Sequence, residues 1–197
     1  MEEQKIREAL KRRVVTAYGN RPRTLIIEEL GLRHGLARID LAVVNGSIHG
    51  FEIKSEYDRL IRLAQQATVF NQVFDRLTLV AAEKHLEAAR RIVPHWWGLL
   101  AVKQRRNRQV EFVTIRKTRQ NPRPDPCAVA KLLWREEALE VLGEFGIADP
   151  YTRETRASIY AALAGVTTLS RLRARVRDRL LNRQAWRSDA QRTSCDG

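Results

Sequence analysis

Two short apolar runs, separated by one helical segment, place the strongest limit on the fold of this chain. Residues 77–82 and 97–102 are almost unbroken runs of apolar side chains, which is typical of strands buried on both faces. Between them, residues 83–93 have helical character and end at Pro94. A buried strand, a helix and a second buried strand predict an α/β fold, in which helices pack on a sheet.

The preceding part of the chain predicts a helix, a meander of three strands and a second helix. Apolar residues at helical spacing indicate the helices, which we place at residues 2–18 and 58–74. Apolar runs bounded by turn residues indicate the strands, which we place at residues 25–30, 37–44 and 48–55. The turns between them are short, so the three strands are expected to form an antiparallel meander.

A cluster of prolines divides the chain after a predicted edge strand at residues 109–115. Three prolines within residues 122–126 exclude a continuous helix or a central strand there. We therefore predict a core at residues 1–117, a Pro-rich linker at residues 118–127, a small C-terminal helical module at residues 128–185 and a disordered tail at residues 186–197. The helices of the module are predicted at residues 128–142, 152–164 and 169–182.

The charge of the chain indicates a polyanionic partner. Lysine and arginine outnumber aspartate and glutamate by 36 to 23, which gives a formal net charge of +13. Nucleic acid is therefore the first candidate partner, and a merely soluble basic protein is the plain alternative. No apolar run of about 18 residues could span a bilayer, and the first residues lack the apolar core of a signal peptide. We expect no membrane partner and a cytoplasmic location, in the bacterial cytosol or nucleoid.

Three ionisable residues on the predicted hairpin form the candidate site. Glu52 and Lys54 are two positions apart on a strand, so their side chains leave the same face of the sheet. Asp40 lies on the neighbouring strand, and its face depends on the length of the loop. A two-residue loop at residues 45–46 would put Asp40 and Glu52 on opposite faces.

A three-residue loop places all three side chains on one face. In such a loop, at residues 44–46, Gly46 adopts the left-handed conformation and Val43 pairs with Ser47. We predict this loop, or a compensating bulge, because the site cannot assemble otherwise.

These residue types suit the hydrolysis of phosphodiester bonds. The reaction requires charge on the phosphate to be neutralised and a water to be made nucleophilic, and Mg²⁺ or Mn²⁺ held by carboxylate oxygens can do both. Asp40 and Glu52 are candidate ligands, and the Ile53 carbonyl is a further one. Lys54 could orient or deprotonate the attacking water and offset developing negative charge. Taken alone, the pattern also fits the charged, solvated face of an ordinary hairpin.

With these residues the chain resembles the PD-(D/E)XK nuclease superfamily, whose core is a helix, a three-stranded meander, a helix and a further strand. The helix after the lysine is similar to that of a poorly characterised bacterial branch with the pattern Arg-Leu-x-x-Gln. The resemblance covers roughly residues 1–116 and implies a restriction-endonuclease-like core. The matching segments are Arg38-Ile-Asp40-Leu-Ala-Val-Val, Gly50-Phe-Glu52-Ile-Lys54-Ser and Asp58-Arg-Leu-Ile-Arg-Leu63-Ala-Gln-Gln66-Ala-Thr-Val-Phe70.

The resemblance also implies a role for each matching residue. Asp40 and Glu52 correspond to metal ligands, with Mg²⁺ or Mn²⁺ as the cofactor. Lys54 corresponds to the catalytic lysine, and Gln66 to the polar residue of the helix that helps to position the site. Without the resemblance, Gln66 could equally be a solvent-facing helix residue.

Members of the superfamily often have another acid upstream of the motif. Glu29 on the first strand or Glu8 on the first helix could take this place, and we prefer Glu29 as the additional metal ligand. The proline that opens the superfamily motif is absent, since Ile39 precedes Asp40.

Basic residues outside the motif are candidate phosphate contacts. The last predicted helix has one apolar stripe and is otherwise rich in arginine, and a basic turn follows the second buried strand. A solvated helix face and an exposed hairpin tip are the alternatives. The residues that we expect to bind nucleic acid are Arg38, Lys103, Arg105, Arg106, Arg171, Arg175 and Arg179.

We therefore expect a Mg²⁺- or Mn²⁺-dependent nuclease, an endonuclease that acts on DNA rather than RNA and that could form a homodimer. One alternative is a nucleic-acid-binding module that retains only a relic of the site. Another is a regulator that acts through the C-terminal helices. A role in defence against phage or on a mobile element is the biological setting that we expect.

Overall fold

The computed structural model describes residues 1–32, 35–106 and 109–183, which form six β-strands and seven α-helices. The strands are β1 Leu25–Leu32, β2 Ala37–Val44, β3 Ile48–Lys54, β4 Arg76–Ala82, β5 Gly98–Gln104 and β6 Val110–Arg116. The helices are α1 Glu3–Tyr18, α2 Leu63–Val73, α3 Leu86–Ile92, α4 Pro126–Ala130, α5 Arg135–Glu144, α6 Arg156–Val166 and α7 Leu169–Asn182. Within these described ranges, no helix has the length and apolar character needed to cross a membrane.

The six strands form one sheet in the order in which they occur along the chain. β1, β2 and β3 pair antiparallel, β3, β4 and β5 pair parallel, and β6 pairs antiparallel with β5 at the edge. Parallel neighbours require crossover connections, which α2 and α3 supply. The predicted α/β fold, the antiparallel meander and the edge strand are confirmed.

Helix α1 covers one face of the sheet. Its residues Ile6, Leu10 and Val14 are four positions apart and fully or almost fully buried, so they form one stripe along the helix. They belong to the same apolar cluster as Phe51 and Ile53 of β3. Burying a side chain of this size stabilises the fold by about 1.5–3 kcal/mol. Because Ile53 faces α1, its two neighbours on β3 face the opposite side of the sheet.

The opposite face of the sheet is covered by α2 together with the C-terminal helices. Phe70 of α2 stacks on Trp97 with ring centroids 6.3 Å apart, and both are fully buried. The same apolar cluster includes Val129 of α4, Leu163 of α6 and Val176 of α7. The hydrophobic core is therefore continuous from the sheet into the C-terminal helices.

The segment that contains the prolines is hydrogen-bonded to the sheet and to α2. The backbone N–H of Asn121 donates to the Asp75 carbonyl at 2.8 Å. Its side-chain amide donates to the carbonyl oxygens of Asn71 and Phe74, at 2.7 and 2.8 Å. The predicted division of the chain at residues 118–127 stays a prediction, and the core extends across it.

The predicted helix at residues 128–142 was wrong, because the chain forms two helices there, α4 and α5. Between them Trp134 is extended, with φ −69° and ψ 163°, and its N–H donates to the Glu137 side chain at 2.8 Å. Apolar spacing continues across this break, so the sequence pattern concealed it. The other two predicted helices are confirmed as α6 and α7. Residues 186–197, for which we predicted disorder, lie outside the described residues.

Candidate active site

The hairpin between β2 and β3 has a three-residue loop, as the sequence predicted, but at a different position. Val44 pairs with Ile48, so the loop is residues 45–47 rather than 44–46, and the predicted pairing of Val43 with Ser47 was wrong. Val44 is fully buried, which keeps it in the sheet rather than in the loop. Gly46 has φ 65°, the left-handed conformation that was predicted. Each paired residue of β2 therefore lies opposite a residue of β3 that is two positions further along the chain than predicted. Because this displacement is even, the paired side chains keep their expected faces.

Strands β2 and β3 separate at the candidate site. Their ladder ends where Leu41 pairs with Phe51, one residue before Asp40 and Glu52. Beyond this point β3 stays paired with β4. The Asp40 side chain replaces the missing main-chain contact, since its Oδ2 accepts a hydrogen bond from the Ile53 N–H at 2.6 Å.

Arg7 of α1 holds the second oxygen of Asp40. Its guanidinium donates to Asp40 Oδ1 at 2.8 Å and to Glu3 Oε1 at 2.5 Å. The Arg7 side chain is only 13% exposed. Burial raises the pKa of Asp40, and the Ile53 N–H and the charge of Arg7 partly oppose this rise. Sequence reasoning missed Arg7, because only its (i, i+4) spacing from Glu3 connects it to another acid.

Glu52 is the most deeply buried group of the site, with a side chain that is 3% exposed. Its Oε1 accepts hydrogen bonds from Lys54 Nζ at 2.6 Å and from Gln66 Nε2 of α2 at 2.8 Å. Burial and then the charge of Asp40 raise the pKa of Glu52 to about 7, although Lys54 and Gln66 lower it. The structure thus brings Asp40, Glu52, Lys54 and Gln66 together, as the sequence predicted.

Two buried acceptor atoms of the site have no hydrogen-bond partner among the described residues. They are Oε2 of Glu52 and Oε1 of Gln66. An unsatisfied buried acceptor costs about 1–3 kcal/mol, so these atoms are places where a water or a cation would bind favourably. Two carboxylates and a nearby backbone carbonyl, that of Ile53, form a donor set that fits Mg²⁺, which commonly binds one or two protein carboxylates and keeps several waters.

Glu29, our preferred additional ligand, lies beside two arginines. Its carboxylate oxygens are 3.4 Å from Arg7 Nη1 and 3.4 Å from Arg38 Nη1. Within the described ranges, no group of three or more His, Cys, Asp or Glu side chains is arranged to hold a metal ion. The described acids therefore supply at most the pair Asp40 and Glu52 to a cation, with Glu29 outside that pair.

Most of the basic residues that we expected to bind nucleic acid make ion pairs within the protein. Arg106 and Arg171 are exposed. The ion pairs, with their N–O distances, are Arg38–Glu29 at 3.4 Å, Lys103–Glu83 at 2.9 Å, Arg105–Glu111 at 2.7 Å, Arg175–Glu144 at 2.7 Å, and Arg179–Glu140 and Arg179–Glu144 at 2.6 and 2.7 Å. Nucleic-acid binding by these residues stays a prediction.

Comparisons with known proteins give one family. The family model described as Bacteriophage P4 protein cII matches residues 1–193. Protein cII of Enterobacteria phage P4 is 31% identical over 158 residues, which cover 80% of this chain and 59% of that protein, so the chain spans about three-fifths of its relative. A solved structure of a protein of unknown function from Silicibacter pomeroyi is 18% identical, with a TM-score of 0.42, and the match covers 76% of this chain and 93% of that one.

Proposed function

The chain belongs to the bacteriophage P4 protein cII family, and we propose that it is a divalent-metal-dependent nuclease with Asp40, Glu52 and Lys54 at its active site. The observation that carries this proposal is the state of Glu52. Its carboxylate is buried, is near enough to Asp40 for that charge to raise its pKa, is bound on one oxygen by Lys54 and Gln66, and has no hydrogen-bond partner among the described residues on the other oxygen. Perturbed carboxyl groups of this kind cluster at functional sites.

A purely structural role for these residues explains the site less well. Burying a charged pair costs several kcal/mol per ion, and well-packed apolar side chains often stabilise a core as well or better. Glu52 and Lys54 are 2% and 8% exposed as whole residues, and they lie at the end of a sheet that is otherwise apolar on that face. A buried Glu–Lys–Gln cluster at the point where two strands separate is therefore better explained by chemistry than by stability.

The order of elements supports a restriction-endonuclease-like core for the same proposal. Helix α1, the β1–β3 meander, α2 and β4 follow one another as in the PD-(D/E)XK superfamily, which the motif residues resemble. By that resemblance DNA is the more fitting substrate. The relative from a phage agrees with a setting on a mobile element.

Each residue has a task that follows from its contacts. Asp40 and Glu52, with the Ile53 carbonyl, would hold Mg²⁺ or Mn²⁺, which when bound neutralises phosphate charge and lowers the pKa of water. Lys54 lies 2.6 Å from Glu52, so its ammonium can bind a phosphate oxygen or a water at the same place. Gln66 fixes the Glu52 carboxylate from α2. Arg7 and the Ile53 N–H fix Asp40.

Cleavage assays with site variants test the proposal. Supercoiled plasmid and labelled single-stranded DNA and RNA are incubated with the protein in Mg²⁺, in Mn²⁺ or in EDTA. Metal-dependent cleavage by the wild type is expected, and Asp40→Asn and Glu52→Gln are expected to abolish it. Glu87→Gln, which removes an exposed acid from α3, is the control and should cleave normally. Equal behaviour of the wild type and all variants, with nucleic-acid binding retained, would favour the inactive binding module.

A further inference from the structure

The most exposed large apolar side chains of the described residues lie beside the candidate active site. Tyr57, Ile61 and Leu36 are each 77% exposed, whereas Val15, the next in this series, is 46% exposed. Tyr57 and Ile61 belong to the segment that joins Lys54 to α2, and Leu36 precedes β2 at the same end of the sheet. Tyr57 and Ile61 are thus two strongly exposed apolar side chains of one short segment, and apolar side chains exposed together indicate a contact surface.

Two arginines alternate with Tyr57 and Ile61 in this segment. Arg59 and Arg62 are exposed, and the described part of the chain gives neither side chain an ion-pair or hydrogen-bond partner. The acids of the segment are engaged elsewhere. Asp58 accepts hydrogen bonds from the backbone N–H and the hydroxyl of Ser55, both at 2.6 Å, and the Glu56 carboxylate is also hydrogen-bonded. The positive charge of the two arginines is therefore available to a ligand.

This availability distinguishes the two arginines from most of the basic residues that the sequence singled out. Arg175 and Arg179 are paired with acids of α5, and Arg105 is paired with Glu111. A phosphate that binds a paired arginine must compete with the carboxylate already there. A phosphate that binds Arg59 or Arg62 has no such competitor within the described structure.

We propose that the surface formed by residues 57–62, here called the 57–62 rim, binds single-stranded nucleic acid. Unpaired bases expose their faces and stack on aromatic side chains, while arginines bind the phosphates between them. In a duplex the faces of the bases are covered by neighbouring bases, so the Tyr57 ring could not stack on them. An exposed tyrosine followed closely by two unpaired arginines therefore favours a single strand over a duplex.

The rim is close enough to the candidate site to present a strand to it. Tyr57 is three residues from Lys54, which places their Cα atoms within about 11 Å of each other. The hydrogen bonds between Asp58 and Ser55 close the turn that carries Tyr57, so they hold the backbone of Tyr57 close to Lys54. That the bound strand is also the substrate rests on the proposed nuclease function, whereas the binding itself does not.

Binding is measured by fluorescence anisotropy with a labelled oligothymidylate and with a labelled duplex, both in EDTA. We expect Tyr57→Ala to weaken binding of the single strand about ten-fold, within the range for the loss of one stacked base, and to leave the duplex almost unaffected. Tyr57→Phe keeps the ring and should bind the single strand like the wild type. Val15→Ala, a truncation of an exposed apolar side chain on α1, is the control.

The charge of the rim is tested with a double variant. Arg59→Ala combined with Arg62→Ala should reduce the slope of log affinity against log salt by about 1.4, since each phosphate contact with a single strand contributes about 0.7. Arg153→Ala combined with Arg156→Ala removes the same charge from the exposed start of α6, and it should leave the slope nearly unchanged. Equal effects of the two double variants would show only general attraction and would overturn the proposal.

The outcomes separate this proposal from the nuclease proposal. Wild-type affinity of Tyr57→Ala for the single strand, or an equal loss for the duplex, would overturn the rim as a single-strand site. Absence of binding by the wild type would overturn it as well and would leave a protein partner for the exposed apolar side chains. If the wild type and the variants bind the single strand in EDTA as expected, and no metal supports cleavage, the rim proposal is supported and the nuclease function is contradicted.

Discussion

Glu52 and Lys54 lie two residues apart on β3, and Lys54 Nζ donates a 2.6 Å hydrogen bond to one oxygen of the Glu52 carboxylate. The other oxygen is buried and has no hydrogen-bond partner among the described residues. The lysine therefore neutralises only part of the site, and the pKa of Glu52 is still raised to about 7, chiefly by burial. The titration of Glu52 should therefore affect both the stability and the activity of the protein near pH 7.

Glu52 should make the protein less stable as pH rises. Its folded pKa of about 7 lies above its ordinary value of 4.5, so the folded state holds the proton more tightly. The resulting stability is fully present below the unfolded pKa and is lost as pH rises through about 7, by about 3 kcal/mol in total. Buried His49, whose pKa is lowered to about 3 by burial, contributes stability that increases from pH 5 to pH 8 in both proteins. Urea unfolding at about pH 5 and about pH 8 should therefore show the Glu52 contribution as a difference, with the free energy of unfolding of the wild type changing less favourably with pH than that of Glu52→Gln. Equal changes in the two proteins would contradict the prediction, and Glu87→Gln serves as the control.

Activity should have the opposite dependence on pH. Glu52 must be ionised to hold a cation, so the rate should rise as pH increases through about 7. Because bound metal favours the ionised form, a higher Mg²⁺ concentration should move the midpoint of the rise to lower pH. Cleavage rates measured across pH at two Mg²⁺ concentrations test this. A midpoint that is independent of Mg²⁺ would argue against Glu52 as a ligand.

Gln66 should act as a positioning residue, through its hydrogen bond to Glu52. That bond lowers the pKa of Glu52, so Gln66→Leu should shift the pH midpoint of cleavage upward and reduce the rate at neutral pH. Gln65→Leu changes the exposed neighbour on α2 and is the matched control. A fall in rate without a shift in the pH profile would indicate a merely structural role for Gln66.

Arg7 should contribute to stability by holding Asp40. Arg7→Ala leaves a mostly buried carboxylate without its guanidinium partner and should lower the free energy of unfolding by about 1–3 kcal/mol. The pKa of Asp40 should also rise, because the charge of Arg7 lowers it in the wild type. Chemical denaturation measures the loss, and Lys5→Ala, at an exposed position of the same helix, should have little effect. Wild-type stability of Arg7→Ala would show that the ion pair has no net effect.

The sheet and the central residues of the site could be predicted from the sequence, because both depend on short-range patterns. Apolar runs identified the buried strands, and the two-residue period placed Glu52 and Lys54 on one face. Asp40 lies beyond the β2–β3 ladder, where Arg7 and the Ile53 N–H hold it, so loop parity did not determine its place. The length of the hairpin loop was predicted, but its position was wrong by one residue. The position itself depended on the burial of Val44, which only the assembled core determines.

The remaining features depend on contacts between distant parts of the chain. Arg7 and Asp40 are 33 residues apart, and nothing in the local sequence of either indicates the other. Arg179 and Glu140 meet only because α5 and α7 pack together. The sequence showed the arginines of the last helix but not the acids that neutralise them. The exposure of Tyr57 likewise depends on the turn that Asp58 closes.

Lys54→Met gives the most direct test of the proposed active site, with Mn²⁺ binding and DNA cleavage measured on the same samples at a pH above the range in which Glu52 titrates. Methionine keeps the size of the side chain and removes the ammonium, while both carboxylates stay in place. We predict that the wild type binds Mn²⁺ and cleaves, and that Lys54→Met binds Mn²⁺ but has lost cleavage. Cleavage by Lys54→Met at the wild-type rate, or a wild type that neither binds Mn²⁺ nor cleaves, would contradict the assignment of Asp40, Glu52 and Lys54 as a nuclease active site.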